Sequence, residues 1–134
     1  MPHLVILYTS NLDQDGHVSE LCRDLADTML SVKDEEGKPV FPIGGARVLA
    51  YPSTHHAVSD GKADYGFVYL NLRMGAGRSD ATKKKAGDLL SERVRAHFAD
   101  LLQRRPLGIT LQIDESPGQV YDSKLGNLHS HFSK

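Results

Sequence analysis

A chain of 134 residues, 40% hydrophobic and 25% charged, has the size and balance of one globular domain spanning residues 1–134. Its 17 acidic and 16 basic residues leave a formal net charge of -1, which argues against the broad positive field of nucleic-acid or acidic-membrane binders; any anion must be held by a few local cations. The single cysteine, Cys22, excludes an internal disulfide and a cysteine-rich metal site, and no apolar run has signal or membrane length, so the expectation is a soluble protein of a reducing, cytoplasmic compartment.

The unbroken apolar run Leu4-Val5-Ile6-Leu7-Tyr8 predicts a strand covered on both faces. After a turn over 11–16, apolar residues recur at Val18, Leu21, Cys22, Leu25, Met29 and Val32, in steps of three and four that predict a helix over about residues 17–32. Gly37, Pro39, Pro42, Gly44 and Gly45 interrupt the pattern, and Arg47 to Tyr51 reads as a second strand. From Tyr65 to Met74 the residues alternate, with Val68, Leu70, Leu72 and Met74 on one face and Tyr65, Phe67, Tyr69, Asn71 and Arg73 on the other, which predicts a third strand. Gly75-Ala76-Gly77-Arg78-Ser79 reads as a tight turn with Ser79 capping one long helix, whose stripe Ala86, Leu90, Val94, Phe98 and Leu102 stops before Pro106. Gly108 to Ile113 gives a fourth strand, and the tail from Glu115 is polar apart from a final Phe132.

The order is β-α-β followed by β-α-β, and a shift of 62 residues carries His17 onto Ser79 and Val48 onto Thr110. The expected fold class is α+β: duplicated β-α-β units, each a parallel pair with a right-handed crossover, forming a four-stranded mixed sheet with two helices on one face. The other face, carrying Tyr65, Phe67 and Tyr69, lacks a cover within so small a chain and is expected to meet neighbouring subunits.

Three residues carry candidate chemistry. Pro2 follows the initiator methionine, which is normally trimmed before a small residue; trimming would leave a secondary amine near the start of a strand. Such an α-amino group titrates at about 7.7–8.0, and an apolar or cationic setting pushes it toward neutrality, where it can accept and return protons. Alternatively, Pro2 only stiffens the strand start. Arg78 lies in a glycine-rich turn at a helix start, where a guanidinium can grip a carboxylate through two hydrogen bonds; otherwise it is a solvated turn residue. Arg47 begins the second strand and could hold a second carboxylate, polarise a carbonyl, or serve as a surface ion-pair partner. His55-His56 and His129-x-His131 lack companion ligands at a recognised spacing, so no metal is assigned. Cys22 lies on an apolar stripe, and Lys83-Lys84-Lys85 reads as a solvated face.

With these residues assembled, the chain resembles the 5-carboxymethyl-2-hydroxymuconate Δ-isomerase family of the tautomerase superfamily over nearly its full length. The resemblance rests on Met1-Pro2-His3, Phe41-Pro42-Ile43-Gly44-Gly45-Ala46-Arg47, Asp64-Tyr65-Gly66-Phe67-Val68, Gly75-Ala76-Gly77-Arg78-Ser79, and Asn127-Leu128-His129 with Phe132. It implies a homotrimer, no cofactor, Pro2 as the catalytic residue, Arg47 and Arg78 as substrate-binding residues, and a small unsaturated di- or tricarboxylate as substrate. The segment Lys33 to Lys38 is longer than the family pattern. Two other readings stand beside this one. One is a tautomerase-fold trimer that only binds; the other is an RNA-recognition module, because its element order is the same and Tyr65-Gly66-Phe67-Val68 matches the middle of its aromatic signature.

Overall fold

In the computed structural model, which describes residues 2–133, the N-terminal apolar run forms strand β1 (His3–Thr9) and the stripe behind it forms helix α1 (Val18–Ser31). Leu21, Leu25 and Met29 are the buried line of α1. His17, at the N-cap, takes the left-handed conformation with φ 48° and ψ 51°. Strand β2 (Arg47–Ser53) runs two residues past its expected end. Strand β3 (Gly66–Gly75) starts after Tyr65, whose hydroxyl donates to Asp60 Oδ1 at 2.7 Å. Tyr65 therefore belongs to the approach loop and not to the aromatic face of the strand.

The long second helix expected from the sequence is two helices, α2 (Asp80–His97) and α3 (Ala99–Arg104), divided at Phe98 with φ -96° and ψ 9°. Phe98 is 1% exposed and Leu101 4%, whereas Leu102, four residues after Phe98, is 42% exposed. Leu101, three residues after Phe98, shares its buried face, so the apolar stripe ends at Leu101 and not at Leu102. The N-cap is as expected, with Ser79 Oγ accepting from Thr82 N–H at 3.1 Å. Strand β4 (Leu107–Ser116) is longer than 108–113, and the polar tail holds a short helix α4 (Leu128–His131).

The four strands form one sheet in the order β2-β1-β3-β4. The pairs β1–β2 and β3–β4 are parallel, while β1–β3 is antiparallel, which makes the sheet mixed and sets the two β-α-β units side by side. Leu4, Ile6 and Tyr8 of β1 and Val68, Leu70, Leu72 and Met74 of β3 are buried with Leu21, Leu25 and Met29 of α1 and Ala86, Leu90 and Val94 of α2 in one core. The helices thus cover a single face, as the alternation in β3 requires.

The 62-residue repeat holds for the first part of each half, since His17 and Ser79 are the N-caps of α1 and α2. It fails at the closing strands. Val48 pairs with core-facing Leu4, but Thr110 pairs with Tyr69 on the opposite face. The two crossovers therefore differ by an odd number of residues, and a one-residue slip exchanges the faces of a strand.

Candidate active site

The register of β1 fixes what surrounds Pro2. His3 pairs with Arg47 on β2 and with Arg73 on β3. One step further along both ladders, Pro2 falls beside Ala46 and Met74, at the end of the sheet where β2 begins and β3 ends and on the strand face that Leu4 shares. Pro2 is buried. A free amine at Pro2 requires the loss of Met1, which lies outside the described residues.

Because side chains alternate across a strand, His3, Arg47 and Arg73 all project from the face without helices. Arg47 is half-buried, and its Nη1 donates to the Gly45 carbonyl at 3.0 Å. That bond aims the side chain back along the approach to β2. It leaves the other guanidinium N–H groups for a ligand. Arg73 is exposed.

Arg78 sits in the turn beyond β3, which bends through Gly77 at φ 114°, a conformation that favours glycine. Its Nη1 donates to the Gly75 carbonyl at 3.1 Å and its Nη2 to the Val40 carbonyl at 3.0 Å. The guanidinium carbon stands 5.7 Å from the centre of the buried Phe41 ring, within the range of a cation–π contact. Arg78 therefore ties the turn after β3 to the segment leading into β2, a role that its place in a glycine-rich turn does not reveal.

The segment 33–38 has a defined position. Ser79 Oγ donates to Glu35 Oε1 at 2.6 Å, and the Thr82 hydroxyl donates to the same oxygen. These two bonds hold the Glu35 carboxyl below the usual carboxylate range. A carboxylate of the chain itself is thus bound by the hydroxyls of the N-cap and first turn of α2, where an external anion was one expectation. On the opposite side of the site, the tail packs against Gly44. A Cβ there would come within 2.9 Å of both Cα and Nδ1 of His129, so glycine is required for this contact.

The other candidates are accounted for without catalytic chemistry. Burial pushes the Cys22 thiol pKa up, away from the reactive thiolate. His56 Nδ1 lies 3.0 Å from the Ser53 carbonyl, and the His131 ring meets Phe132 edge-on at 4.8 Å. No group of three His, Cys, Asp or Glu able to hold a metal ion occurs among the described residues. The lysine run is not merely solvated: Lys83 bridges Asp80 and Glu115 at 3.1 and 2.8 Å, and Lys85 donates to the Lys33 carbonyl. Sequence reasoning missed His3, Arg73 and Glu35 as neighbours of the site. Arg73 was already on the polar face of its strand; the missing information was the antiparallel β1–β3 pairing that returns the end of β3 to Pro2.

A family model for 5-carboxymethyl-2-hydroxymuconate isomerase matches residues 2–132. The curated 5-carboxymethyl-2-hydroxymuconate Delta-isomerase of Escherichia coli is 28% identical over 132 residues, covering 98% of this chain and 99% of that protein. A solved 5-carboxymethyl-2-hydroxymuconate delta-isomerase superposes with a TM-score of 0.95 at 54% identity, over 100% of this chain and 94% of the other. A 5-carboxymethyl-2-hydroxymuconate isomerase from Deinococcus radiodurans R1 gives a TM-score of 0.84 at 33% identity, over 99% and 95% of the two chains. These likenesses favour neither the RNA-recognition reading nor a trimer that only binds. The sheet disfavours the RNA reading as well, because each β-α-β unit here keeps its two strands adjacent rather than split. The chain belongs to the 5-carboxymethyl-2-hydroxymuconate isomerase family and is an isomerase.

Proposed function

We propose that the protein ketonises 5-carboxymethyl-2-hydroxymuconate without a cofactor, with the amine of Pro2 carrying the proton. The neutral amine takes the proton of the 2-hydroxyl group. The O–H electron pair becomes the C2=O bond, the C2=C3 pair moves to C3=C4, and the C4=C5 pair takes back a proton at C5 from the prolinium. One proton leaves oxygen and one arrives at carbon, so the amine is regenerated. Arg47, beside His3 on the neighbouring strand, stabilises the negative charge that grows on the 2-oxygen and C1 carboxylate, an interaction whose removal commonly costs about 3–4 kcal/mol of barrier. Arg78 binds a carboxylate with the N–H groups not used on Gly75 and Val40 while it holds the surrounding turn.

The observation that carries this reading is Pro2 buried at the start of the central strand β1, with the half-buried Arg47 opening the neighbouring strand β2. The working unit is a homotrimer, supported by Leu7, Leu49, Tyr51 and Phe67, which expose between 37% and 50% of their surface on the face without helices. A lone cysteine supports a reducing compartment such as the cytoplasm. The test is to follow loss of the conjugated dienol absorbance in D2O. Turnover that places one deuterium at C5 is expected; no turnover, or a product deuterated elsewhere, would overturn the proposal.

A further inference from the structure

We infer that Arg73 is a third cationic contact for the substrate, one that selects a triacid over acids with fewer carboxylates; the inference rests on the reading of the site given above. Three features of the structure lead to it. Arg73 and Arg47 flank His3 from opposite sides, so their Cα atoms stand two strand spacings apart, about 10 Å. A cleft of about 620 Å³, within the usual size of ligand sites, is lined by His3, Arg73, Met74, the Gly75–Ala76 turn and the segment 116–119, so it adjoins the end of β3 without including Pro2, Arg47 or Arg78 in its walls. Arg73 and His3 are the basic residues lining that cleft, and no carboxylate lines it.

Arg73 is also uncommitted. Asp114 is its register partner on β4, but that carboxylate accepts from Asn71 Nδ2 at 2.8 Å, and Arg73 makes no ion pair or side-chain hydrogen bond among the described residues. Arg47 and Arg78 each already donate to backbone carbonyls, and Glu35 occupies the hydroxyls of Ser79 and Thr82 at the start of α2. A substrate with three carboxylates meets Arg47 at the reacting end and Arg78 at the turn, which leaves the remote carboxylate for Arg73, the guanidinium without a partner among the described residues. A planar guanidinium suits this task through two parallel hydrogen bonds.

The test compares wild type, Arg73→Ala and Arg73→Lys on 5-carboxymethyl-2-hydroxymuconate, on the diacid 2-hydroxymuconate and on the monoacid 2-hydroxypenta-2,4-dienoate. Losing one charged contact is expected to lower kcat/KM for the triacid about tenfold, mainly through KM, with the monoacid unchanged and Lys restoring part of the loss. A parallel titration with the saturated propane-1,2,3-tricarboxylate reads binding without turnover, and Arg73→Ala is expected to weaken it. Equal losses on all three substrates, or an unchanged triacid rate and unchanged tricarboxylate binding, would overturn the assignment of Arg73. Wild type inactive on every substrate would instead overturn the isomerase reading, with the titration still deciding whether Arg73 holds a tricarboxylate.

Discussion

At the scale of single residues, the same side chain can build a site and serve it. Arg78 holds the Gly75 and Val40 carbonyls and stacks over Phe41, so its loss removes structure as well as charge. Arg78→Ala is expected to lower stability by about 1–2 kcal/mol, seen as a lower urea midpoint, and to reduce turnover. Arg47→Ala, which gives up a single bond to Gly45, should reduce turnover with a smaller change in midpoint. Equal midpoints for the two variants would contradict this division of roles. Pro2, Arg47 and Arg78 stood out in the sequence because each sits at a strand or helix start, where local composition is informative. Arg73 did not, since its importance depends on a strand pairing between residues 3 and 73.

At the scale of elements, the extended segment before β2 works as a clasp on α2. Glu35 receives hydrogen bonds from Ser79 and Thr82, and Lys85 reaches back to the Lys33 carbonyl. The folded state lowers the Glu35 pKa, so the contribution is present above the ordinary carboxylate range and is lost as pH falls through the lowered value. Because Glu35 is exposed, the effect on the whole molecule is small, and the local readout is more sensitive. In Glu35→Ala, amides 82–85 at the first turn of α2 should exchange faster near neutral pH, and the difference from wild type should shrink under acid. Unchanged exchange would mean that the clasp does not hold the helix start. The family resemblance singled out this segment by its length, yet neither its target nor the break at Phe98 could be read from the sequence. Both depend on packing between elements distant in the chain, Glu35 against Ser79 and Leu101 against the core. Strand and helix periods were legible because they are local; the inexact repeat was not, because it turns on the parity of a loop length.

At the scale of the whole molecule, the face without helices divides in two. One end carries His3, Arg47 and Arg73, and the other carries Leu7, Leu49, Tyr51 and Phe67. The apolar end suits packing between copies of the chain, which leaves the charged end with Pro2 at the rim of the contact. Sedimentation equilibrium at micromolar concentration should give a trimer for wild type and a smaller species for Leu49→Glu, which sets a charge on a half-exposed apolar position. A wild-type monomer would contradict this. The central claim is that the Pro2 amine moves the proton, and the most direct measurement is turnover of 5-carboxymethyl-2-hydroxymuconate by the Met1-free chain before and after acylation of that amine. The free enzyme should show kcat/KM rising with pH through ionisation of the amine, and the acylated enzyme should keep its fold and assembly but lose nearly all turnover, because an amide nitrogen has no basic lone pair. Equal rates for the free and acylated enzymes would show that Pro2 is not the base.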